Sequence, residues 1–370
     1  MILGMVKFWG LVLMVLLVGG GGWWWNQRNV GEVESAEVVM LTDNESGFDV
    51  GDSSDGASQD KGEFLYDQHP LAIEYMREQD YPGSELVIEQ TLSPGSNYQG
   101  YVVSYKSEGL KQYAMLTVPN GDPPVGGFPG IVFNHGYISP SVYRTTERYV
   151  GYVDGFARNG YVVLKPDYRG HGNSEGRAEG GYGSPDYTID VLNAFASLQK
   201  YPGVDASRIG MWGHSMGGHI TLRAMVINPE IKAGVIWGGV VGSYQDYAQF
   251  WWGRRRRPTP TASPRPGDRG YWRQSLYEEY GTFDENPEFW DSISATSFLD
   301  DLSGPIQLHH AEGDASVPYQ LAENFYNLME SKGLGVEWNL YPGDDHNISG
   351  NFGTAMRRSV EWFDRYVKGV

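Results

Sequence analysis

The residues best able to do chemistry in this chain gather around Ser215. The segment Gly213-His214-Ser215-Met216-Gly217 follows an apolar run, Arg208-Ile209-Gly210-Met211-Trp212, and leads into a helix-like stretch from Gly218 to Ile227. That pattern predicts a strand, a tight turn and a helix, with the serine at the apex. The flanking glycines have a steric purpose: a side chain at 213 or 217 would strike the neighbouring strand or helix, and the turn needs permissive backbone angles. A serine hydroxyl is a poor nucleophile at neutral pH unless a base stands within hydrogen-bond reach and a third group orients that base. Both partners occur downstream. Asp314 follows the apolar run Ile306-Gln307-Leu308-His309-His310 and Gly313, and His346 follows the strand-like Val336 to Tyr341 and the turn Pro342-Gly343-Asp344-Asp345. Each is placed on a loop at a strand end, where ligand sites of open α/β sheets collect. The expected roles are Ser215 as nucleophile, His346 as general base and Asp314 as the acid that orients it.

Neighbouring polar residues receive plainer readings. Asp344 and Asp345 beside Gly343 read as turn formers. His309 and His310 lie on a strand and read as packed side chains, and His214 and His219 as structural residues flanking the nucleophile. Upstream, Gly130 to Asn134 is an apolar strand that ends in His135-Gly136-Tyr137. A loop of this kind supplies one backbone N–H to hold a developing oxyanion, the other coming from the residue after the nucleophile. Met216 and Tyr137 are the expected donors, with Gly136 as the alternative to Tyr137. A further strand, Tyr161 to Pro166, leads to Asp167-Tyr168-Arg169-Gly170-His171. Asp167, Arg169 and His171 are expected to form walls and an Asp-Arg network buttressing the nucleophile strand.

The strand-turn-helix around Ser215 resembles the nucleophile elbow of α/β-hydrolases, in which the chain order is Ser, then Asp or Glu, then His. Residues from about 128 to 368 resemble the catalytic domain of the prolyl oligopeptidase family. The likeness rests on Asp167-Tyr168-Arg169-Gly170, Val204-Asp205 with Arg208-Ile209-Gly210, Ser215 with Gly217-Gly218, Asp314 with Val317-Pro318, and His346. It implies the same roles for Ser215, Asp314 and His346. Two departures stand out: the chain preceding this region is too short for the family's propeller, and His135 stands where family peptidases often place an oxyanion-hole tyrosine. Short members of the group include carboxylesterases. The expected activity is cleavage of carboxylic esters through an acyl-enzyme, because an alcohol leaves more easily than an amine. The alternative is a serine-type peptidase acting on small peptides. A remoter one is a non-catalytic binding module, against which the presence of all three residues argues.

These residues need a frame to hold them. Strands alternating with helical stretches predict an α/β-hydrolase fold: a mostly parallel, doubly wound sheet with helices on both faces. Leu86 to Thr91, Tyr98 to Lys106 and Gln112 to Val118 are expected to add antiparallel strands at its edge, the last two as a hairpin around Ser107-Glu108-Gly109-Leu110. Residues 243–290 are expected to insert as a cap. This segment holds Arg254-Arg255-Arg256-Arg257, several prolines and many aromatics. It reads either as a solvated loop whose aromatics pack the cap down, or as a substrate-selecting lid. In the second reading Arg254 and Arg255 bind carboxylates, and Trp251 and Trp252 hold a ring.

Composition bounds the rest. The 370 residues carry a net charge of -18, which argues against a nucleic-acid partner held through phosphates. With no cysteine there is no disulfide, catalytic thiol or thiolate metal site. No metal-ligand spacing or phosphate-cradling loop stands out, and the proposed chemistry needs no cofactor. Lys7 precedes the apolar run Phe8 to Val18, and Trp23-Trp24-Trp25 follows. Residues 1–25 are expected to be a signal anchor or signal peptide, with tryptophans at the membrane interface and the enzyme held outside the cytoplasm or secreted. Residues 26–62 read as an acidic flexible linker and 63–370 as the catalytic domain.

Overall fold

The computed structural model describes residues 66–252 and 271–370. The expected signal anchor, the acidic linker, Arg254 and Arg255 lie outside them. Among the described residues no helix is long and apolar enough to cross a membrane.

Among the described residues nine strands form one sheet: β1 (Val87–Thr91), β2 (Tyr98–Ser107), β3 (Leu110–Pro119), β4 (Phe128–Asn134), β5 (Val162–Pro166), β6 (Val204–His214), β7 (Gly234–Trp237), β8 (Ile306–Ala311) and β9 (Val336–Tyr341). Their order is β1-β2-β3-β5-β4-β6-β7-β8-β9. The pairs joining β1, β2, β3 and β5 are antiparallel, and those from β5 through β4 to β9 are parallel. This is the expected α/β-hydrolase architecture. The hairpin pairs Ser107 with Leu110.

Between and beside the strands lie α1 (Ile73–Arg77), α2 (Val150–Ala157), α3 (Asp186–Gln199), α4 (Met216–Ile227), α5 (Tyr244–Asp246), α6 (Tyr271–Tyr280), α7 (Pro287–Ser292), α8 (Tyr319–Ser331) and α9 (Phe352–Phe363). Side-chain alternation along the strands feeds two cores. Val132, Ile209, Met211, Ile236 and Leu308 face one core with residues of α1, α3, α4 and α8. Ile131, Phe133, Trp212, Val235 and Trp237 face the other with residues of α2 and α9.

The chain leaves β4 through α2 towards β5, and leaves β6 through α4 towards β7. The β4–β6 boundary is therefore the switch point, where the loops after two adjacent strands part and open a crevice. The helix after the serine begins at Met216, two residues earlier than its composition suggested, so the elbow has no intervening loop.

The insertion after β7 builds α5, a π turn over Tyr247–Trp252, then α6 and α7. Tyr244, Tyr247, Leu276, Phe289 and Trp290 form an apolar layer that also takes in Val317 after β8 and Leu321 of α8. The cap is thus fixed to the body by buried aromatics.

One expectation needs correcting. Arg169 does not pair with Asp167. Its guanidinium makes bidentate bonds to buried Asp190 of α3, at 2.8–3.1 Å, and reaches Glu108 and Asp186. Asp167 instead accepts the hydroxyls of Tyr143 and Thr145. The loop follows β5, which borders β4 and not the nucleophile strand. Its acid therefore braces the loop after β4, and its arginine braces the β2–β3 hairpin and α3.

Candidate active site

Ser215 sits where β6 ends and α4 begins, with φ 56° and ψ −119°. A non-glycine residue in this region is strained by about 1–3 kcal/mol and persists only where its surroundings impose it. Here they do. The Ser215 N–H donates to the Trp237 carbonyl at 3.1 Å, and its carbonyl accepts the N–H groups of Gly218 and Val240, each at 3.0 Å. A β-carbon on Gly217 would fall on the Asn134 carbonyl at the end of β4, and one on Gly213 would fall on the Gly217 carbonyl. Both glycines are the close-approach points that their spacing suggested.

Asp314 follows β8 with its side chain fully buried. Its Oδ1 accepts the N–H groups of Ser316 at 2.7 Å and Val317 at 2.9 Å. Its Oδ2 accepts from His346 Nδ1 at 2.6 Å and lies 3.2 Å from His310 Nε2. Burial alone would push the carboxyl pKa up. The bonds to His310 and His346 and from the Val317 backbone outweigh it, holding the pKa well below the usual carboxylate range. An ionised Asp314 can only accept, so the proton on His346 is on Nδ1, and Nε2 presents a lone pair.

The His346 loop is organised by the two aspartates read as turn formers. Asp344 accepts from the backbone of Asp345, Gly350 and Asn351. Asp345 accepts from the backbone of Asn347 and Ser349. Within the loop, Ile348 is buried at φ 54°, an unusual angle for a β-branched side chain. The imidazole of His346 lies against Gly238, at the end of β7 beside the Trp237 carbonyl that binds Ser215 N–H.

The loop after β4 has its peptide groups fixed one by one. The His135 carbonyl accepts Tyr168 Oη–H at 3.0 Å, and the Gly136 N–H donates to Tyr149 Oη at 3.0 Å. The Gly136 carbonyl lies 2.7 Å from His135 Nδ1, the shorter of that ring's two contacts, which assigns the proton to Nδ1. Burial, with Lys165 nearby, lowers the His135 pKa to about 3 and keeps the ring neutral. Because the peptide is trans, a carbonyl held by His135 turns the N–H of Tyr137 the opposite way. The Gly136 N–H is taken up by Tyr149, and Tyr137, the expected oxyanion donor, follows it in the same loop. The α-carbon substituent position of Gly136 is 3.1 Å from Ser215 Cβ, so this loop borders the serine. Met216 is the first residue of α4, where N–H groups have no partner within the helix.

The aromatic candidates part company. Trp251 donates its indole N–H to the Ser316 carbonyl at 2.8 Å, two residues beyond Asp314, and packs edge-on to Tyr182. Trp252 lies in the cap layer near Tyr247 and Trp272, with the Arg273 guanidinium over its ring. Three contributors escaped sequence reasoning. His310 read as a packed strand residue, yet it touches Asp314; its four-residue separation from that acid, at a strand end, was the available hint. Tyr168 stands inside the Asp167-Tyr168-Arg169-Gly170 motif, but nothing local marks its bond to the His135 carbonyl, and Tyr149 belongs to no motif.

The sequence model of a family described as serine aminopeptidase, S33, matches residues 130–351, more than half of the chain. The chain belongs to this family. Membership of the serine aminopeptidase family makes the protein a serine hydrolase of the α/β-hydrolase superfamily. Among curated relatives, the "Uncharacterized peptidase YtmA" of Bacillus subtilis is 27% identical over 239 residues, covering 62% of this chain and 78% of that protein. Dipeptidyl peptidase 8 of Homo sapiens is 23% identical over 256 residues, 67% of this chain but 26% of that protein. The chain likewise spans 31% of the Bacillus subtilis peptidase YuxL. Among solved structures, the acylaminoacyl peptidase of Pyrococcus horikoshii superposes with a TM-score of 0.57 at 23% identity, covering 74% of this chain and 43% of that one. Est1E of Butyrivibrio proteoclasticus, solved with ferulic acid, gives 0.50 at 20% identity, covering 69% and 97%. The resemblance to prolyl oligopeptidase-type catalytic domains drawn from the motifs therefore holds.

Proposed function

We propose that this serine aminopeptidase family member is a peptidase that cleaves short peptides through an acyl-enzyme on Ser215. The observation that carries the reading is the 2.6 Å bond from His346 Nδ1 to a buried, four-fold hydrogen-bonded Asp314, which leaves Nε2 as the basic nitrogen. In the proposed cycle His346 Nε2 takes the Ser215 proton as the oxygen attacks the carbonyl carbon. The N–H groups of Met216 and Tyr137 receive the oxyanion. His346 then protonates the leaving amine, and water releases the acyl group along the reverse proton path.

The family description and the relatives' names support peptides over the esters expected from leaving-group chemistry alone. The same machinery accepts activated esters, since an alcohol leaves more easily than an amine. Trp251 beside Ser316 and Tyr182 beside His219 offer an aromatic wall for the substrate side chain. Lys7, the apolar run after it and Trp23 to Trp25 support an enzyme held at the outer membrane surface of the cell.

The deciding experiment compares aminoacyl and dipeptidyl p-nitroanilides, free and blocked, with short p-nitrophenyl esters, using wild type and Ser215→Ala. Anilide turnover lost in the variant supports the peptidase. Ester turnover without anilide turnover would replace it with an esterase. No turnover, and no labelling of Ser215 by a fluorophosphonate, would remove both.

A further inference from the structure

Beneath the proposed site, a single chain of polar groups links three loops that are far apart in sequence. The Gly136 N–H donates to Tyr149 Oη at 3.0 Å, Tyr149 Oη lies 2.7 Å from His214 Nδ1, and His214 Nε2 lies 3.0 Å from the His346 carbonyl. The two ends fix its direction. A carbonyl can only accept, so His214 carries its proton on Nε2 and donates to His346. Burial, together with His346 nearby, lowers the His214 pKa to about 3, so the ring is neutral and Nδ1 accepts. The Tyr149 hydroxyl therefore accepts from Gly136 and donates to His214. Every polar atom along this path has the partner that its chemistry requires.

The chain's position gives it meaning. His214 is the last residue of β6, directly before Ser215. On one side it is tied to the loop of Gly136 and Tyr137, on the other to the backbone of His346, whose ring centroid is 4.6 Å from its own. Tyr149 caps α2 in the left-handed region at φ 53°, next to Arg148 at φ 58°. Two such residues in succession are strained, and Tyr149 is held there by ring contacts to Phe133 and Trp212 as well as by its hydroxyl bonded at both ends. Fully satisfied buried networks of this kind rigidify what they join.

We propose that Tyr149 and His214 are positioning residues: a polar strut that fixes the oxyanion loop and the base loop against the nucleophile turn. The proposal rests on the serine-hydrolase reading above. Neither residue touches substrate. The strut sets the spacing between the Tyr137 N–H, the Met216 N–H and His346, a spacing that matters in the transition state and little in substrate binding.

The test takes Tyr149→Phe, His214→Leu, His214→Gln and the Tyr149→Phe/His214→Leu double variant, each checked for folding by thermal melting. Readouts are kcat, KM and the affinity of an alkyl boronate as transition-state analogue. Tyr149→Phe and His214→Leu are each expected to lower kcat and boronate affinity by about 10- to 100-fold, with KM within about twofold. The double variant should fall no further than the worse single one, because both break the same chain. His214→Gln, which keeps one donor and one acceptor, should retain more activity than His214→Leu. Unchanged kcat in both single variants, multiplying losses, or a rise in KM alone would overturn the strut. The 15N shifts of the His214 ring in wild type supply a test independent of variant folding. A neutral Nε2–H tautomer at neutral pH supports the strut, and an Nδ1–H tautomer overturns it. A wild type that neither turns over nor labels at Ser215 would overturn the hydrolase reading instead, while leaving the 15N measurement interpretable.

Discussion

Asp314 illustrates how much of this chemistry is decided at single atoms. Its carboxylate faces four donors, two from the backbone and two from histidines. Asp314→Asn keeps the shape but places an amide that can donate, which would favour the wrong tautomer of His346. A loss of about 10³–10⁴ in kcat is expected, with KM little changed, measured on the best p-nitroanilide. His310 shares Oδ2 with His346, and its Nε2 also lies 3.0 Å from the Val317 carbonyl, so the proton is on Nε2 and Nδ1 is left buried without a hydrogen-bond partner. His310→Leu would remove one donor from Asp314 and leave three. A fall in kcat of about tenfold is expected, far smaller than for Asp314→Asn, since the backbone N–H groups alone still hold the carboxylate. Equal losses in the two variants would show that His310 does more than brace the acid.

At the scale of elements, the cap and the β5 loop make separate predictions. Trp251 joins the π turn of the cap to the loop of Asp314 through one indole hydrogen bond. Trp251→Phe keeps the ring contacts and removes the bond, worth about 0.5–1.5 kcal/mol. It should loosen the cap and raise KM several-fold with kcat nearly unchanged. A lower kcat at constant KM would place Trp251 with the catalytic loops and not with the cap. Arg169 has a different weight. Its bond to Glu108 is half in solvent and contributes little, whereas Asp190 is wholly buried. Arg169→Met would strand that carboxylate, and a destabilisation of about 3–5 kcal/mol is expected by urea unfolding. Replacing Glu108 with Gln should cost less than about 1 kcal/mol in the same assay.

For the molecule as a whole, burial of histidine governs the response to acid. His69, His135, His171, His214, His219 and His309 all have pKa values lowered chiefly by burial. An unfolded histidine takes up its proton near pH 6.5, and the folded one resists it. Stability is therefore lost as pH falls from about 6.5 towards the folded values. Asp167, raised to about 7 by burial, and Asp190, raised for the same reason, act in the opposite sense above the ordinary aspartate pKa. Six histidines outnumber those two carboxylates, so unfolding midpoints should decline between pH 6.5 and 4. The depressed Asp314 contributes only below that window, where its contribution is lost as pH falls through its folded value. His309, whose ring is lowered to about 3 and bonds Gln307 and Tyr341, isolates the effect. His309→Gln should reduce the slope of stability against pH by about one proton, or about 1.4 kcal/mol per pH unit. An unchanged slope would mean that His309 titrates alike folded and unfolded.

The sequence by itself determined the features that depend on neighbours along the chain. Alternating apolar runs specified the strands, glycines at 213 and 217 specified the turn at Ser215, and strand-end loops marked Asp314 and His346. Such signals are local because backbone sterics and side-chain periodicity act over a few residues. Tertiary structure alone decided the rest. It gave Arg169 to Asp190 and not Asp167, held the Gly136 peptide between His135 and Tyr149, and joined Gly136, Tyr149, His214 and His346 in one line. Those pairings span up to 132 residues between His214 and His346. No propensity or spacing encodes them: each buried polar atom takes whichever complementary atom the packed sheet brings within reach, and only the assembled sheet determines which that is.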